Sequence, residues 1–144
     1  MRVTANSVQG HRKYMEDCYK IRFQRESSLY ASQNRALLQA ATAAGYVPRQ
    51  QQAAGDSSPS STSAASPPPE SDDILFSYFG IFDGHGGREA SQFAKEKLYW
   101  KIVQQEAFWA EEDAHVLAAI RQGFLACHLD MWNEIGALRS RFHH

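Results

Sequence analysis

Hydrophobic and polar positions along this chain change their spacing in ways that predict distinct elements. Val3 to Val8 reads as a short strand, and Cys18 to Gln24 alternates cleanly, with Tyr19, Ile21 and Phe23 on one face and Cys18, Lys20, Arg22 and Gln24 on the other. Together they predict a pair of half-buried antiparallel strands. Ile74 to Phe82 (ILFSYFGIF) is almost continuously apolar and aromatic, which predicts a central strand covered on both faces. Beyond it, Ala90, Phe93, Ala94, Leu98 and Ile102 recur at steps of three and four and predict an amphipathic helix from about Arg88 to Gln105. A second helix follows, with Glu111, Glu112 and Asp113 in its first turn, where acids favour the helix dipole. Its apolar stripe is Leu117, Ile120, Phe124, Cys127 and Met131, and Gly123 inside it predicts a close contact that tolerates no side chain.

Between the alternating strand and the apolar one the pattern breaks down. From Gly45 to Asp73 the residues are small and polar with interspersed prolines, too little apolar surface to offset the ordering entropy of about 1–2 kcal/mol per residue. This Ser/Pro/Ala/Gln-rich stretch, 45–73, is expected to be disordered. Ala31 to Ala44 has helix-forming composition but only Leu37 and Leu38 as sizeable anchors, so any helix there is expected to be marginal. Arg25 to Asp73 is thus read as an insertion, and the remaining two thirds or so of the 144 residues would form a thin core.

Composition narrows the function classes only slightly. With 15 basic against 16 acidic side chains and a net charge of −1, the chain lacks the broad positive field of a nucleic-acid binder, and no basic stripe with interleaved aromatics is present. No run approaches the ~18–20 apolar residues of a membrane span, and the opening MRVTANSVQGHRKYMED has no secretory apolar segment, so an intracellular protein with neither membrane nor nucleic-acid partners is expected. Cys18 and Cys127 have no metal-type spacing and are read as reduced, buried thiols.

Two loops carry candidate chemistry. Asp83-Gly84-His85-Gly86-Gly87 falls between a buried strand and a helix, where glycines let the backbone approach whatever the carboxylate binds. The plainer alternative is that Asp83 caps the helix and His85 is an exposed loop residue. Arg12-Lys13-Tyr14-Met15-Glu16-Asp17 leads into the alternating strand, and adjacent carboxylates on extended chain point to opposite sides. Hard cations such as Mg²⁺ or Mn²⁺ tolerate such acids through water, and a guanidinium can clamp a phosphate in two-pronged fashion. Here the alternative is a surface ion pair between Arg12 and Glu16, with Asp17 as a turn residue. Three carboxylates, a cationic clamp and an imidazole, without a serine or cysteine nucleophile, form the inventory for metal-assisted phosphoester hydrolysis.

GHRKYMED (10–17) and FDGHGG (82–87), in this order, resemble the first two motifs of the metal-dependent Ser/Thr protein phosphatases, the type 2C or PPM family. The continuations DGHGGREASQFAKEKLYW and AAIRQGFLACHLDMW are most similar to its delta branch. The resemblance implies an α+β fold, the N-terminal part of a four-layer α-β-β-α sandwich. It further implies that Asp83 bridges two Mg²⁺ or Mn²⁺ ions, that the Gly84 carbonyl and Glu16 ligate the first, that Asp17 holds metal-bound water, that Arg12 binds the substrate phosphate, and that His85 protonates the leaving oxygen. The implied substrates are phosphoserine and phosphothreonine proteins, hydrolysed by metal-activated water in a monomer of the nucleus or cytoplasm. Nothing after Trp132 supplies the family's later metal-binding aspartates, so residues 1–144 are expected to be a partial domain, inactive alone. The contrasting expectation is a noncatalytic fragment or pseudophosphatase that acts only by binding.

Overall fold

The computed structural model describes residues 2–11, 13–47 and 74–141. Strand β1 (Cys18–Arg25) and strand β2 (Ile74–Phe82) pair antiparallel, Cys18 opposite Phe82 and Phe23 opposite Ser77, with a slip between Gln24 and Arg25. Between them come the short helix α1 (Glu26–Leu29), a 3₁₀ turn (Ser32–Asn34) and helix α2 (Arg35–Ala43). After β2 come α3 (Glu89–Val103), a 3₁₀ turn (Glu106–Trp109) and the long α4 (Asp113–Arg141). Helix α3 lies against both strands and α4 packs on α3, giving a mixed α+β arrangement. No helix among the described residues is long and apolar enough to cross a membrane.

Among the described residues the sheet has these two strands only, and Val3 to Val8 is not one of them. Locally, the Asn6 side chain takes the Ser7 N–H at 2.8 Å, the kind of side-chain to backbone bond that competes with a strand ladder. Residues 3–8 run instead beside the outer face of the sheet, where they line a groove of about 650 Å³ with Tyr19, Ile21, Phe79 and Ile81.

The face of β1 turned to α3 is its polar one. Lys20 Nζ donates to the Glu96 carbonyl, the Arg22 guanidinium lies 4.7 Å from the Tyr99 ring centre and 4.5 Å from that of Trp100, and Gln24 accepts the Tyr99 hydroxyl at 2.8 Å. Long polar side chains can cover aromatic surface with their stems and cationic heads, so this face packs without being apolar. The apolar face points away from the helices, Phe23 meeting Phe79 edge-on across the strands and Ile81 left 88% exposed. The expectation that β2 is covered on both faces is therefore corrected: its Phe76, Tyr78 and Phe82 side packs on the helices, and of the other side Leu75 reaches the buried cluster while Phe79 and Ile81 stay exposed.

Leu29, Leu37, Tyr99 and Val103 form one fully buried cluster, ringed by Phe76, Tyr78, Phe108 and Trp109. The helix expected to be marginal, α2, is anchored there. Leu37 and Ala41 are completely buried, and Tyr46 just beyond packs its ring 5.9 Å from that of Trp109. Alanines let α2 come close enough for its single row of anchors to suffice. The remainder of the stretch read as disordered, 48–73, lies outside the described residues.

Leu98, Ile102 and Cys127 centre a second cluster, where α3 meets α4. The contact line on α4 is Ala119, Gly123 and Cys127, with Lys101 of α3 paired to Asp130 of α4. Leu117 and Phe124, placed in the stripe by periodicity, are exposed. The tight approach at Gly123 sets the helix rotation: a Cβ there would lie 2.5 Å from Ile102 Cγ1 and 2.9 Å from Ile102 Cα. Gly123→Ala should therefore destabilise the fold by about 1–3 kcal/mol, outweighing the ~1 kcal/mol that alanine gains in a helix, as read from a denaturant or thermal midpoint.

Burial pushes the Tyr99 phenol above its ordinary value, against the opposing charge and hydrogen bond of Arg22. A raised phenol binds its proton more tightly when folded, so its contribution is complete below the ordinary value of 10.0 and fades as pH rises through the shifted one. Tyr99→Phe should flatten part of the stability loss above that pH. At neutrality it should cost about 1–3 kcal/mol by leaving Gln24 Oε1 without its donor, measured as melting midpoints across the alkaline range.

Candidate functional site

Because Cys18 pairs with Phe82, the residues just before β1 and just after β2 must come together. Those are Glu16-Asp17 and Asp83-Gly84. The chain turns sharply between β2 and α3, with Gly86 at φ 73° and Gly87 at φ 120°, a left-handed region that side-chain-bearing residues rarely occupy. Gly84 has ordinary dihedrals but no room, since a Cβ there would sit 2.2 Å from the Glu16 carbonyl oxygen and 2.7 Å from its carbon.

Three hydrogen bonds fasten the acidic pair to this turn. Gly84 N–H donates to Asp17 Oδ1 at 2.9 Å, Gly87 N–H donates to Glu16 Oε1 at 3.0 Å, and Ser91 Oγ donates to the Glu16 carbonyl at 2.6 Å. Adjacent carboxylates point apart on extended chain, yet both reach the same turn because it curls from one side of the pair to the other. Asp83 is left 87% exposed and His85 96% exposed, His85 Nδ1 lying 3.9 Å from Asp83 Oδ1. Asp83 does not cap α3: the cap position is Arg88, and no side chain bonds there. Helix start and acidic residue are separated by the glycines.

Glu16, Asp17, Asp83, Gly84 and His85 are thus gathered into one loop cluster, while Arg12 lies outside the described residues. The one residue here that periodicity passes over is Ser91. It sits in the first turns of α3 on the buried side, 4% exposed, with the Cys18 thiol 3.7 Å away. Its signal in the sequence is a small polar residue between Ala90 and Phe93, on the helix face that must meet the start of β1.

An all-oxygen donor set suits a hard cation. Yet no three acidic, histidine or cysteine side chains converge among the described residues, and Glu16 and Asp17 each engage an oxygen with a glycine N–H. These residues do not fit a two-ion centre on their own. Their arrangement builds a rigid platform with one outward carboxylate. Gly84→Ala should force the Glu16 backbone away and loosen that platform. The expected result is faster amide exchange at Gly87, with the amides of α3 beyond Leu98 unchanged.

The sequence model of the family described as protein phosphatase 2C matches residues 47–140, which hold the glycine turn, α3 and nearly all of α4. GHRKYMED precedes that stretch. A probable protein phosphatase 2C of Caenorhabditis elegans is 37% identical over 54 residues, 38% of this chain and 14% of that protein. Protein phosphatase 2C homolog 2 of Aspergillus fumigatus is 41% identical over 54 residues, 38% of this chain and 12% of that protein. The Hypocrea jecorina homolog 2 is 36% identical over 58 residues, 40% of this chain and 13% of that protein. The matched part therefore spans 12–14% of these relatives' own length. No solved structure matches the chain.

Proposed function

Since the chain belongs to the protein phosphatase 2C family, we propose that it is the N-terminal part of a PPM-type protein Ser/Thr phosphatase. In this reading the complete protein hydrolyses phosphoserine and phosphothreonine monoesters with Mg²⁺ or Mn²⁺ as cofactor, acts as a monomer and works in the nucleus or cytoplasm. In this reading it belongs to the delta branch, a reading supported by the continuations after the glycine turn. The observation that carries the reading is the docking of Glu16 and Asp17 onto the turn that bears Asp83 and His85.

The cofactor would supply an activated water and neutralise phosphoryl charge. Asp83, the Gly84 carbonyl, Glu16 and Asp17 would be this chain's contribution to holding it. Arg12 remains cationic at all working pH and its fork matches phosphate oxygens, so it is assigned to the substrate. His85, exposed beside Asp83, is the group free to protonate a departing alkoxide. The outward apolar face of the sheet, with Phe79 and Ile81, supports the larger sandwich, because a second sheet packed there would take that surface out of water.

The noncatalytic alternative is that the chain acts only by binding, with Glu16 and Asp17 engaged by glycine N–H groups. The two readings separate in one assay. Full-length protein should show chelator-sensitive turnover of a phosphopeptide, Asp83→Asn should reduce it to background, and the 144-residue chain alone should show none in excess Mn²⁺. Arg12→Ala should mainly raise KM, with a smaller effect on kcat. Near-native, chelator-sensitive activity in Asp83→Asn would overturn the assignment.

A further inference from the structure

We propose that Ser91 is a positioning residue, whose hydroxyl joins the Glu16 and Asp17 carboxylates in a latch that holds the acidic connection against the glycine turn and so aims Asp83. The latch makes Glu16 and Asp17 hydrogen-bond acceptors for this turn, a role distinct from ligation.

A serine hydroxyl donates once, and two carbonyls compete for it: Arg88 O, three residues back in the same helix, at 3.0 Å, and Glu16 O at 2.6 Å. Back-bonding to the preceding turn is the local default for a helical serine. Here the shorter contact is the one that crosses to the acidic connection, and Ser91 is buried at 4% exposure. The Cys18 thiol lies 3.7 Å from the same hydroxyl oxygen and 3.5 Å from Gln92 Oε1, which lines the serine with sulfur on its remaining side.

The three donors, Gly84 N–H, Gly87 N–H and Ser91 Oγ, all lie within the segment that follows Asp83, and their acceptors all belong to Glu16 and Asp17. Gly86 and Gly87 are the conformationally free joints between them. A turn with such joints holds one shape only while its ends are tied, and Ser91 ties the end that is anchored in α3. The consequence for catalysis rests on the phosphatase reading above; the latch itself does not.

The test compares amide exchange at Gly84 and Gly87 in the full-length protein, with the amides of residues 98–103 as the reference for an intact fold. Ser91→Ala should speed exchange at both glycines by about five- to tenfold, the effect of one buried hydrogen bond, and leave the reference unchanged. Ser91→Thr, which keeps the hydroxyl, should restore protection. Glu16→Gln, which keeps an acceptor oxygen, should preserve protection at Gly87, whereas Glu16→Ala should lose it; this pair decides the matter if the threonine variant does not fold. In the phosphatase assay Ser91→Ala should lower kcat with KM for the phosphopeptide unchanged. Unchanged glycine exchange in Ser91→Ala, or equal loss in Glu16→Gln and Glu16→Ala, would overturn the latch. A wild-type protein without phosphatase activity would overturn the functional reading, and the exchange data would still decide the latch.

Discussion

Everything in this chain depends on the pairing of Cys18 with Phe82. The two chemically interesting loops lie far apart along the sequence. They meet because each is the continuation of a strand end, and antiparallel register puts those ends side by side. A one-residue slip would turn the polar face of β1 away from α3, breaking the Gln24–Tyr99 bond and the stacking of Arg22 on Tyr99 and Trp100 at once. Register is therefore specified by polar and cationic contacts as much as by apolar burial.

That choice of face has a structural consequence. With Lys20, Arg22 and Gln24 committed to the helices, the apolar residues Tyr19, Ile21 and Phe23 are left with Phe79 and Ile81 on the opposite side. Two adjacent strands thus share an apolar outer face, along which residues 3–8 run. On the helical side Phe76 meets Phe108 and Trp109 of the turn Glu106–Trp109 edge to face, while Tyr99 of α3 stacks on it.

Periodicity made the strongly patterned elements legible: β2, α3 and α4 fall where their spacing puts them, and Gly123 marks the close helix contact that its cost in a helix foretells. It failed where pattern and partner are separate questions. Alternation in β1 identifies two faces but not which one a helix will cover, and Arg22 beside two aromatic rings can win that contest. The stripe on α4 drifted because one glycine contact, not the mean periodicity, fixes the rotation of the helix. Val3 to Val8 has the composition of a strand, but its polar residues bond locally, the Asn6 side chain taking the Ser7 N–H. At the site, the motifs announced Glu16, Asp17 and Asp83, but the bonds that join them run from backbone N–H groups and from Ser91, and backbone donors carry no signature in a sequence.

The central claim is that the acidic connection is docked on the glycine turn, not merely near it. Nuclear Overhauser contacts in the protein test this most directly. The account predicts strong cross-peaks between the Gly84 protons and those of Glu16 and Asp17, alongside the cross-strand contacts of Cys18 with Phe82. Cross-strand contacts without any between Gly84 and Glu16 or Asp17 would contradict it, leaving two motifs that share a sheet end but do not form one site.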